Sequence, residues 1–154
     1  MTFNDIDIDC LYLEWHPKVK EFITGFKKED LCRLLENTET SLFSQQKFNQ
    51  VVNLYNSNFN EELYKKILNA KDKATLIDLL KERDVILPRD RHLDLDTIFE
   101  SVEKNNYHPA FIFELNNEIF IVDGRTRLFC CEVLNKPLLI RKLTDKTIYE
   151  YCRK

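Results

Sequence analysis

The stretch that most constrains the fold is Ile119-Phe120-Ile121-Val122-Asp123-Gly124-Arg125-Thr126-Arg127-Leu128. A short apolar run meets Asp-Gly, and a mixed polar and apolar run follows. That order predicts a strand, a tight turn and a helix that begins at Arg125 or Thr126 and reaches Leu134. The first turn of a helix carries unpaired N–H groups and partial positive charge, which suits an anion. Gly124 would let the backbone approach closely, Arg125 and Arg127 would add charge, and Thr126 would add a hydroxyl. A plainer reading stands beside this one. In it Asp123 caps the helix, Gly124 makes the turn and both arginines are solvated.

Glycine scarcity limits the alternatives. The chain has 2 Gly in 154 residues, against about 11 at average usage. Gly25 and Gly124 cannot form a multi-glycine phosphate loop of the Walker A or dinucleotide kind. A phosphate site here uses one glycine at most. Hydrophobic residues make up 44%, enough for a sizeable core. The formal net charge is -3, which disfavours strong non-specific binding to DNA. Six arginines nevertheless fall after residue 84: Arg89, Arg91, Arg125, Arg127, Arg141 and Arg153. They are candidates for a local arginine-rich face toward DNA or a protein.

Elsewhere the patterns are simpler. Asp5 to Leu13 alternates with period 2 and predicts a half-buried strand, broken at Trp15-His16-Pro17. Residues 18–84 carry helical stripes: Leu31, Leu34 and Leu35; Leu42, Phe43, Phe48, Val51, Val52 and Tyr55, with Ser41 as start; Leu63, Ile67 and Leu68; and Leu76, Ile77, Leu79 and Leu80 after Asp72. This segment, residues 1–84, is expected to be a strand plus a helical insertion preceding an 85–154 domain. In the second part, Val85 to Leu87 is a short apolar run closed by Pro88. Asp94 is expected to cap a helix that buries Leu95, Ile98, Phe99 and Val102. Ala110 to Leu115 and Glu118 to Val122 read as a hairpin around Asn116-Asn117. Leu138 to Leu143 reads as a last strand, and Thr144 as the cap of a final helix. The fold class expected is α/β, or α+β, with a small mixed sheet.

The five cysteines are odd in number and contain no Cys-x-x-Cys. Zinc spacing is therefore absent, and reduced thiols in a cytoplasm are expected. No metal ligand set is expected, because His16, His92 and His108 are dispersed. No apolar run approaches the roughly 18 residues of a membrane span.

The residues from Leu95 onward resemble the ParB/sulfiredoxin-like superfamily. The resemblance rests on Leu95-Asp96-Thr97-Ile98-Phe99-Glu100-Ser101-Val102, His108-Pro109-Ala110-Phe111-Ile112-Phe113, Ile121 to Leu128, and Asn135-Lys136-Pro137-Leu138-Leu139-Ile140. It covers roughly residues 85–143 and implies a nucleotide-binding fold. It also implies that Gly124, Arg125, Thr126 and Arg127 hold the phosphates of a nucleotide, ATP or CTP, and that Thr97 and Ser101 contact it from the preceding helix; Mg²⁺ is expected beside the phosphates if chemistry occurs. His108 lies where the superfamily's ligand approaches. Asp123 and Glu100 are the candidate catalytic carboxylates for a phosphotransferase or nucleotide hydrolase. Three departures narrow this. Arg125 stands where sulfiredoxin has its cysteine and where the partition proteins have a Glu, and the histidines of the serine-kinase motif are missing. The alternative is a non-catalytic binding module for DNA or a protein. The Asn/Lys/Phe-rich, Gly-poor composition would suit a phage protein.

Overall fold

The structure, a computed structural model, describes residues 16–54, 61–86 and 94–152. The strand expected over Asp5 to Leu13 and the polar cluster Arg89-Asp90-Arg91-His92 lie outside the described residues. Helix α1 spans Pro17–Ile23 with its proline in the first turn, and α2 spans Lys28–Asn37 with Glu29 and Asp30 in its first turn. Strand β1, Ser41–Phe43, leads into a 3-10 helix, Gln45–Gln50. Helices α3, Glu61–Leu68, α4, Lys73–Ile86, and α5, Leu95–Glu103, follow. Strands β2, Ala110–Leu115, and β3, Glu118–Asp123, precede α6, Arg125–Leu134. The described chain closes with β4, Leu138–Thr144, and α7, Asp145–Tyr151.

Most boundaries follow local chemistry. The Asp72 carboxylate accepts the Thr75 N–H at 2.8 Å, and the Asp94 carboxylate accepts the Asp96 N–H at 3.0 Å. Thr144 accepts the Thr147 N–H at 3.1 Å. Each side chain takes a donor that the first helical turn leaves unpaired. Asn116 and Asn117 both have positive φ, 54° and 66°. That is the two-residue turn matching the twist of a hairpin. Asn135, also left-handed, ends α6 before Pro137.

The sheet order is β1-β4-β2-β3. β2 and β3 form the antiparallel hairpin, β4 lies parallel to β2, and β1 pairs antiparallel with β4. Helices cover both faces, an α/β architecture. Ala110 and Ile112 of β2 face a core shared with α3, α4, α5 and α6. Phe111, Phe113 and Leu115 face the opposite core, built with α1, α2 and α7. Burial on both sides explains why Ala110 to Leu115 is apolar almost throughout instead of alternating.

One expectation needs correction. The stripe expected as one helix from Ser41 is a strand and a 3-10 helix. Ser41, Leu42 and Phe43 find partners in Ile140, Leu139 and Leu138 of β4, and Ser44 caps the next turn. Long-range pairing outweighs a helical spacing met by coincidence. Val85 and Ile86, the described part of the short apolar run, are the last residues of α4. The compositional change at residues 84/85 therefore falls inside a helix. Elements from both sides of it share both cores.

The outer edge of β3 is closed by side-chain mimicry of a strand. Val51 bridges Ile119, and the Val52 N–H donates to the Ile119 carbonyl at 2.8 Å. The buried Asn53 amide donates to the Ile121 carbonyl at 2.7 Å and accepts the Ile121 N–H at 2.8 Å. Asn53→Ala would leave both Ile121 groups without these partners. We expect a loss of about 2–4 kcal/mol in urea unfolding; a change below about 0.5 kcal/mol would show that the edge does not need the amide.

Candidate functional site

The junction expected from the sequence is present, and its backbone explains the glycine. Gly124 is the N-cap of α6 with φ +114°. A Cβ there would stand 2.5 Å from the Ala110 Cβ and 3.1 Å from the Ala110 Cα. The turn therefore presses the start of α6 onto the start of β2. β3 carries a bulge just before it: Ile112 pairs with Ile121 and Phe111 with Asp123, leaving Val122 as the extra residue.

The three side chains after Gly124 go in three directions. Arg125 is buried, and its Nε donates to the Asn53 carbonyl at 3.1 Å. Thr126 is buried, and its Oγ1 accepts from Arg83 Nη1 at 2.9 Å. Arg127 is mostly covered. Its Nη2 donates to Asp123 Oδ2 at 2.9 Å, and its Nη1 donates to the His108 carbonyl and, at 3.3 Å, to the Pro109 carbonyl. Neither sequence reading of this turn anticipates that arrangement. Asp123 pairs with Arg127 and does not cap the helix, and Arg125 is not solvated. Gly124, having no side chain, offers the first turn of α6 no cap of its own.

Arg83 and Asn53 escaped sequence reasoning. Arg83 is 2% exposed on α4, with Nε and Nη2 on the Asp84 carboxylate at 3.0 and 2.9 Å. A signal existed: Leu76, Leu80 and Arg83 continue one buried stripe at helical spacing, so a charge there required an internal partner. Asn53 had only its position inside the apolar run Val51 to Leu54 as a signal.

The remaining candidates lie on neighbouring elements. α5 packs against α6 and carries Thr97 and Glu100, both exposed, with Ser101 half-buried. The Ser101 hydroxyl donates to the Ile98 carbonyl at 2.7 Å. The His108 side chain is exposed. Cys130 and Cys131 pack as small apolar groups. Burial pushes their thiols up to about 12 and about 11, so they stay protonated. Among the described residues no three His, Cys, Asp or Glu side chains gather into a metal-binding group.

Of the six arginines after residue 84, Arg125, Arg127 and Arg141 are among the described residues. Arg125 and Arg127 are engaged as above. Arg141 Nη1 donates to the Leu35, Glu36 and Thr38 carbonyls at 3.2, 3.0 and 2.7 Å, closing the C-terminus of α2. No helix among the described residues is long and apolar enough to cross a membrane. No protein family, curated protein or solved structure matches this chain.

Gly124→Ala combines a left-handed backbone with a 2.5 Å overlap. It should cost at least about 2 kcal/mol. Adding Ala110→Gly removes the overlap and keeps the backbone cost, so the pair should recover part of that loss in thermal unfolding. Strict additivity of the two losses would show that the contact does not limit the turn.

Proposed function

We propose that the chain binds a nucleotide through its phosphates at the first turn of α6. The observation that carries this reading is the helix start itself. Gly124 supplies no cap, and the Arg127 guanidinium is held beside the same turn. Backbone N–H groups and a guanidinium suit phosphate oxygens. The side chains of Arg125 and Thr126 serve the interior. The order helix, strand, strand, helix, strand over residues 95–144 is the one that a ParB/sulfiredoxin-like fold implies, and it supports the reading. Thr97 and Ser101 on α5 and His108 before β2 are the proposed contacts to the rest of the nucleotide.

ATP or CTP with Mg²⁺ is the ligand class proposed. The metal would neutralise phosphate charge, and Asp123 and Glu100 are the proposed catalytic carboxylates. Phosphoryl transfer or hydrolysis would rest on the same two residues. A second reading, a binding module without chemistry, is favoured by the Asp123–Arg127 pair. That ion pair engages the carboxylate a catalyst would need. We place the protein in the cytoplasm, where the thiols of Cys32, Cys130, Cys131 and Cys152, all free, would stay reduced.

Titration calorimetry with ATP, CTP and GTP in the presence of Mg²⁺ tests the proposal. Binding of at least one is expected, with Arg127→Ala weakening it at least about tenfold while circular dichroism stays unchanged. No heat with any nucleotide, or full affinity in Arg127→Ala, would overturn it. Steep salt dependence with duplex DNA and none of these nucleotide effects would favour the binding module.

A further inference from the structure

His16 is the N-cap of α1, and its Nδ1 accepts the Lys18 backbone N–H at 3.1 Å. The ring lies tilted against Phe120 of β3, with centroids 5.0 Å apart. An imidazole nitrogen accepts a hydrogen bond only while it is unprotonated. Among the described residues, the charged groups acting on it come from three elements: Lys18 of α1, Glu118 of β3 and Arg125 of α6. Glu118 is already engaged, because Lys18 Nζ lies 2.9 Å from its Oε1. A proton on His16 would therefore remove the cap and place a third cation beside Lys18 and Arg125.

We propose that His16 is an acid-sensitive latch: neutral, it closes the first turn of α1 against β3, and protonation opens that turn. Opening stays local, because Val19 and Ile23 are buried in the core beneath α1. Burial, then Lys18, with a smaller effect of Arg125, holds the His16 pKa below 6.5, while Glu118 acts the other way. The sign follows from that direction. The folded state binds its proton less readily than the unfolded chain. The cap's contribution is therefore complete above pH 6.5 and is lost as pH falls through the lower, folded value.

Amide hydrogen exchange read by NMR, expressed as protection factors, tests the latch. The Lys18 amide of the wild type should lose about fivefold in protection between pH 7.5 and pH 5. The midpoint should coincide with the titration of the His16 ring resonances, assigned separately from His92 and His108. His16→Asn keeps a capping acceptor that does not titrate, so its Lys18 protection should stay flat. His16→Ala should be low at both pH values. Unchanged wild-type protection across the ring titration would overturn the proposal, as would an equal fall in His16→Asn.

Discussion

The contact between Gly124 and Ala110 organises the rest of the molecule. It requires a left-handed backbone and the absence of a Cβ, and only glycine meets both conditions without strain. With that turn in place, α6 starts directly against β2 and its first three side chains fan out. Arg125 reaches the segment that seals the β3 edge, Thr126 meets Arg83 from α4, and Arg127 crosses to the loop before β2. One turn therefore ties the early helical region, the α4 helix and the sheet together.

Buried guanidinium groups bring little net stability compared with apolar packing, because their desolvation offsets their attraction. Their geometry explains their presence better. Arg83 reaches Thr126 and Arg125 reaches Asn53, partners far away in sequence, which sets the position of α4 and of the 51–53 segment relative to α6. The same engagement limits what the junction offers a ligand. Gly124, Arg125 and Thr126 at the helix start are buried, and Arg127 is the least buried of the three guanidiniums. The proposed phosphate site would therefore rest chiefly on Arg127.

Local chemistry made much of this legible. The caps at Asp72, Asp94 and Thr144, the Asn116-Asn117 turn and the Gly124 junction each depend on residues within a few positions of one another. The misses are long-range. Ser41 to Phe43 becomes a strand only because β4 is beside it, and Asn53 matters only because Ile121 lies on a sheet edge. Arg125 and Thr126 were legible as a charge and a hydroxyl at a helix start. Their direction was not, because their partners, Asn53 and Arg83, are 72 and 43 residues away.

The junction's side chains act as internal ties. A double-mutant cycle on Arg83→Met and Thr126→Val, read by urea unfolding, tests that most directly. A hydrogen bond between a buried guanidinium and a hydroxyl predicts a coupling of about 1.5–3 kcal/mol. Additive losses, with coupling near zero, would contradict the tie between α4 and α6.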